Sequence, residues 1–131
     1  MRRESKKHRA RRIEADDARL SLLLEVGRCE LCGHDPTRPQ AGKISWRLDV
    51  HEIARGPCRQ DALDKRFAVL VLCAGCHMLR IHGHEDWPEA RQLAILKKSR
   101  PHDHDLAAYN ELKGFGPDRI TEEDVNQHAR H

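Results

Sequence analysis

Cys29-Glu30-Leu31-Cys32 and Cys73-Ala74-Gly75-Cys76 are the stretches of this 131-residue chain whose spacing most directly implies chemistry. A two-residue spacer lets one tight turn present two sulfurs to the same ion, and zinc favours four thiolates in a tetrahedron. One such pair alone fits a redox motif or coincidence. Two of them point to a single closed metal site built from Cys29, Cys32, Cys73 and Cys76, with structural Zn²⁺ as the cofactor. Two histidines accompany the pairs: His77 directly follows Cys76, and His51 lies between them in a segment of alternating polarity. Cys58 stands outside the spacing and reads as a bystander. With four of the five cysteines assigned to metal, a reducing cytoplasm is the expected compartment.

The elements that must hold these residues follow from pattern. Residues 44–53 alternate apolar and polar side chains, which predicts a strand. Ile44, Trp46, Leu48, Val50 and, by the same alternation, Glu52 fall on one face, and Asp49, His51 and Ile53 on the other. Residues 67–72 form a short apolar run, strand-like, that delivers the chain to Cys73. A helix is predicted from 74 to 82, ended by Gly83. Residues 1–26 read as one helix, basic at first, then amphipathic at Ile13, Leu20, Leu23 and Leu24, and stopped by Gly27. Beyond the second cysteine pair come helices over 88–98 and 105–113, the latter closed by Gly114, and a third start at Thr121 followed by three acids. The organisation expected is an α+β chain: a basic N-terminal helix or arm (1–26), a small zinc-stapled domain (27–84) and a helical C-terminal extension (85–131).

Composition sets limits on partners. Hydrophobic residues make up 38%, charged residues 34% and aromatics 4%, so burial alone stabilises a fold poorly and a metal staple is physically welcome. No apolar run approaches the roughly 18 residues of a membrane span, and the basic N-terminus lacks the apolar stretch of a signal peptide. No membrane partner is expected. Residues 2–12 carry seven bases against Glu4, a balance of +6 that leaves −3 for the rest of a chain of net charge +3. Four thiolates on zinc would make the body about two charges more negative. Phosphate contacts must therefore come from the arm or from arginines near the site. Residues 101–131, with seven acids and three bases, are not a nucleic-acid surface. Trp46 and Trp87 read as packing residues, and His34, His84, His102, His104, His128 and His131 as solvated.

A cysteine pair, a strand carrying a histidine, and a second cysteine pair running into a helix headed by a histidine: in this order the chain resembles the HNH endonucleases, the ββα-metal (His-Me finger) nucleases. The matching residues are Cys29-x-x-Cys32, Leu48-Asp49-Val50-His51-Glu52-Ile53 and Leu70-Val71-Leu72-Cys73-x-x-Cys76-His77, with His82 five residues on. The resemblance covers roughly residues 27–84. It implies a metal-dependent DNA endonuclease in which a catalytic divalent ion (Mg²⁺, Mn²⁺, Ni²⁺ or Zn²⁺) steadies the scissile phosphate and His77 is a metal ligand. In the family the strand ends in two adjacent polar residues, a ligand and then a base. Here that pair is Val50-His51 or His51-Glu52. In the first register His51 is the base and Asp49 replaces a missing ligand. In the second His51 is a ligand and Glu52 the base, the register that the following Ile53 favours. His82 is either a further ligand or a helix-end histidine. Arg55, Arg59 and Arg66 lie where the family's loop approaches the phosphodiester. The family's middle asparagine would fall near Ala68, and none occurs between Cys32 and Cys76. The alternative expectation is therefore a nucleic-acid-binding or protein-interaction module of the same fold without cleavage.

Overall fold

Alternation in the first strand and an unbroken apolar run in the second produce a hairpin whose two strands differ in burial. The structure is a computed structural model that describes residues 6–35, 47–54, 56, 61–114, 116 and 119–129, with residues 6–14 described as backbone only. Strand β1 (Leu48–Glu52) pairs antiparallel with β2 (Val69–Cys73), placing Leu48 opposite Cys73, Val50 opposite Val71, and His51 opposite Leu70. Every residue of β2 is buried, as expected of a strand covered on both faces. One face of the hairpin, with Val50, Val69 and Val71, packs on Leu22 of helix α1 (Lys6–Val26). The other face, with Leu70, Leu72 and Ile53, joins a core that also holds Trp87, Leu93, Leu96, Tyr109 and Val125. The sheet, two-stranded among the described residues, is thus a middle layer between α1 and the C-terminal helices.

The face α1 turns to the sheet keeps only part of the one expected: Leu23 packs against the cluster of Leu22, Val50, Val69 and Val71, but Leu20 and Leu24 face solvent. Leu20 and Leu24 are 54% and 77% exposed, whereas Leu22 is 2% exposed and Ala15 is buried. Ala15, Arg19, Leu22 and Val26 recur at three- and four-residue intervals and so form one stripe, which Leu20 and Leu24 leave. The side chain of Ile13 lies outside the described residues. Gly27 adopts φ +65°, the left-handed geometry that terminates a helix, and its N–H bonds the Leu23 carbonyl at 2.9 Å.

The second edge of β2 is closed by the first cysteine turn. Glu30 N–H donates to the Val71 carbonyl and Glu30 Oε1 accepts from Val71 N–H, both at 2.8 Å. Arg100 completes the edge, donating from Nη2 to the Val69 carbonyl at 2.6 Å and from Nε to Glu30 Oε2 at 2.9 Å. Its Nη1 reaches Asp103 Oδ2 at 2.9 Å. Arg100 and Glu30 side chains are 5% and 0% exposed, so this pair is fully desolvated yet saturated with partners, the condition under which a buried ion pair is tolerated.

Among the described residues three α-helices follow: α2 (Glu89–Ser99), α3 (Leu106–Lys113) and α4 (Glu122–Ala129). Their ends match the sequence signals. Asp105 Oδ1 caps α3 through Ala108 N–H at 3.0 Å, and Gly114 at φ +67° closes it. Thr121 and Asp124 cap each other's backbone N–H groups at the head of α4. The main core runs from Cys29 to Val125, so these helices share it with the cysteine turns. Trp87 is buried in it, as expected. No helix among the described residues is long and apolar enough to cross a membrane.

Candidate metal centres

The four cysteines converge. The sulfurs of Cys29, Cys32, Cys73 and Cys76 all lie within 4.8 Å of one another, and none forms a disulfide. Sulfurs bound tetrahedrally about 2.3 Å from one ion would be about 3.8 Å apart. Cys32 Sγ and Cys73 Sγ are 3.8 Å apart. In each pair the backbone N–H of the second cysteine points at the sulfur of the first at 3.5 Å, which favours a charged sulfur. Burial and the neighbouring Cys29 push Cys76 well above the ordinary thiol range, and burial also raises Cys32. At Cys29 burial pulls upward too, but backbone N–H groups more than offset it and the net shift is downward. Four thiolates do not coexist at this distance without a cation among them, so the set is one that could hold a structural ion such as zinc.

A second cluster lies beyond Cys76. Helical backbone begins at Ala74 and widens into a π-helix over Cys76–His84, with Gly83 non-helical at its end. Residues five apart on an α-helix point about 140° apart. In a π-helix, which bonds i to i+5, they come nearly into line. His77 and His82 consequently meet, with ring centroids 4.8 Å apart, ring planes tilted by 56° and their Nε2 atoms separated by 3.1 Å. His51 enters from β1, its ring 5.0 Å from His77 and 5.6 Å from His82. One ring nitrogen from each of the three lies within 4.8 Å of the others. Nitrogens about 2.0–2.1 Å from a shared tetrahedral ion would be about 3.3–3.4 Å apart, close to the His77–His82 separation. His51 is buried, His77 half-buried and His82 exposed, so the cluster opens to solvent on one side.

His51 is held from behind. Gln92 of α2, with no exposed surface, places Oε1 2.7 Å from His51 Nε2 and donates from its own Nε2 to the Trp87 carbonyl at 2.8 Å. Burial pushes His51 down to about 4; the Gln92 hydrogen bond opposes this, and His77 and His82 add to it. The ring is neutral at neutral pH, the state in which imidazole offers a lone pair to a metal.

Glu52, expected beside His51, is not brought to the cluster. It lies on the opposite face of β1 with Val50, where Arg19 Nη1 bonds its Oε1 at 3.1 Å and Arg19 Nη2 bonds the Val50 carbonyl at 2.9 Å. Strand alternation requires this separation, because successive side chains point to opposite faces. Asp49 shares the His51 face but pairs with Arg47 at 3.0 Å and does not join the cluster. Arg66 bonds Asp103 through Nε at 3.0–3.1 Å and also pairs with Glu25, so its guanidinium is engaged inside the protein. Arg55, Arg59, Cys58 and Trp46 lie outside the described residues. His34 and His104, expected in solvent, are not there: His34 is 5% exposed, and His104 Nε2 is 2.9 Å from Glu122.

Sequence reasoning left His82 undecided and missed Gln92. The five-residue spacing of His77 and His82 signals one face only on a π-helix. A glutamine on a helix 41 residues from its histidine partner carries no spacing signal at all. No protein-family model, curated protein or solved structure matches the chain.

Proposed function

We propose that this chain is a metal-dependent endonuclease of the HNH type, a ββα-metal fold stapled by zinc that hydrolyses DNA phosphodiester bonds at the His51–His77–His82 cluster. One observation carries the reading. Imidazoles from a β-hairpin and from the helix that follows it converge on one point, open to solvent, beside a separate four-cysteine site.

His51, His77 and His82 would hold the catalytic ion. Three neutral nitrogens without a carboxylate suit Zn²⁺ or Ni²⁺ better than Mg²⁺. A divalent ion bound there supplies charge neutralisation for the phosphodiester and acidifies water. The chain's own part is to fix the donors, His51 from the buried side through Gln92 and His77 and His82 from the π-helix, and to leave the His82 side open to a large substrate. The basic segment 2–12 provides sequence-independent attraction to the phosphate backbone. Glu52 has no part in this reading, and Arg66 is a structural arginine in it.

A second reading, the same fold binding nucleic acid or protein without cleavage, is favoured by one feature: Asp49 and Glu52 are both paired with arginines, and neither joins the three histidines in a metal-binding group. Supercoiled plasmid incubated with the protein and Ni²⁺, Mn²⁺ or Mg²⁺ separates the two. The nuclease reading expects nicked or linear product with Ni²⁺, and less or none with Mg²⁺. It expects loss of product in His51→Ala and in His82→Ala, the latter at an exposed position. Intact plasmid under every metal, with a salt-dependent mobility shift, would select the second reading.

A further inference from the structure

The amide of Gln92 is used at both ends, and its two partners together fix a proton. A peptide carbonyl has no hydrogen to give, so the NH₂ end of the amide must face Trp87, and the oxygen end must then face His51. An amide oxygen only accepts, so the His51 nitrogen 2.7 Å away must carry the hydrogen. A neutral imidazole with its proton on Nε2 has its lone pair on Nδ1.

We propose that Gln92 is the positioning residue of the histidine cluster: it holds His51 as the Nε2–H tautomer and leaves Nδ1 as the donor atom offered beside His77 and His82. This rests on reading the cluster as a divalent-metal site. A metal-ligating histidine that gives its other ring N–H to a fixed oxygen keeps both its tautomer and its ring orientation. The surroundings of Gln92 supply that fixity. Its side chain has no exposed surface, Trp87 is buried, and the Arg91 guanidinium lies 3.7 Å from the Trp87 ring, pinning the residue whose carbonyl orients the amide.

Long-range ¹H–¹⁵N correlation spectra of the full chain, with zinc in the cysteine site and no second metal added, read the His51 tautomer directly. The wild type is expected to show hydrogen on Nε2 and none on Nδ1. Gln92→Met, similar in volume but without an acceptor, should give a tautomer mixture, and Gln92→Glu, which restores an oxygen, should return the Nε2–H form. Calorimetric titration with Ni²⁺ should show affinity lowered about 10- to 100-fold in Gln92→Met and recovered in Gln92→Glu. A wild-type His51 protonated on Nδ1 would overturn the proposal without recourse to any variant. So would a folded Gln92→Met with unchanged tautomer. If the wild type takes up no Ni²⁺ while its Nε2–H form is lost in Gln92→Met, the metal reading falls and the hold of Gln92 on His51 stands.

Discussion

Cys76 and His51 are both buried, yet they belong to two clusters of different donor chemistry, one of sulfurs and one of ring nitrogens. As thiolates the four sulfurs, held within 4.8 Å of one another, would repel, so a cation among them would stabilise the fold around them. Structural zinc bound through thiolates contributes on the order of 10–16 kcal/mol of apparent folding free energy. A domain of this size is stable by only about 5–15 kcal/mol in total. Cys76→Ser is therefore expected to lose zinc by elemental analysis and to lose its cooperative thermal transition; a retained transition with no zinc bound would show that the cysteines are not a staple. At this scale the sequence was legible wherever chemistry and spacing coincide. The cysteine pairs need two residues between sulfurs, and His77 follows the second pair. The side of β1 that carries His51 followed from alternation, whereas the expectation of Glu52 as the base came from the family resemblance and not from alternation. Gln92 was not legible, because its role depends on the Trp87 carbonyl and on a strand distant in sequence.

Helix α1 and the π-helix show what periodicity conveys and where it fails. Four leucines crowd residues 20–24, so composition marks the end of α1 as apolar without saying which side faces the sheet. The structure chooses Leu22. Leu22→Ala should cost about 2–5 kcal/mol in chemical denaturation, while Leu24→Ala should change stability by no more than about 0.5 kcal/mol. Equal effects would mean that α1 docks through another face. The π-helix was invisible to sequence because nothing in its residues opposes an ordinary α-turn. A π-turn is equivalent to one residue inserted into an α-helix. Deleting Leu79, which is 75% exposed, should restore α geometry with the two histidines four apart and still on one face. Helical circular dichroism and Ni²⁺ affinity are expected to be retained; loss of affinity with helicity intact would show that the wide turn itself shapes the cluster. Helix ends were the most legible feature, since Gly27, Gly114 and Thr121 act within a few residues of themselves.

Across the whole molecule, Arg100 ties the first cysteine turn, the free edge of β2 and the C-terminal helices into one unit. Removing one partner of such a buried pair costs about 3–5 kcal/mol, the loss expected for Arg100→Met in denaturant titrations. The network also gives stability a pH dependence. Burial alone would raise Asp103, but hydrogen bonds from Arg66 and Arg100 outweigh it and hold the carboxyl below its ordinary value of 3.8. A group depressed on folding stabilises the protein above its unfolded pKa, and that contribution fades as pH falls through the lower folded value. Asp103→Asn should accordingly be less stable at neutral pH and lose less on acidification below about pH 4. A parallel pH profile for the two proteins would remove Asp103 from the acid response. This long-range arrangement had no sequence signature, because Glu30, Arg100 and Asp103 are ordinary charged residues until the fold excludes water from them.

Occupancy of the two centres is the point on which all of this turns. Ni²⁺ titrated into protein that already holds one zinc per chain should bind at one further site, and the His77→Ala/His82→Ala double variant should bind none while keeping its zinc. No uptake by the wild type, or equal uptake by the double variant, would contradict the assignment of His51, His77 and His82 as a second metal centre.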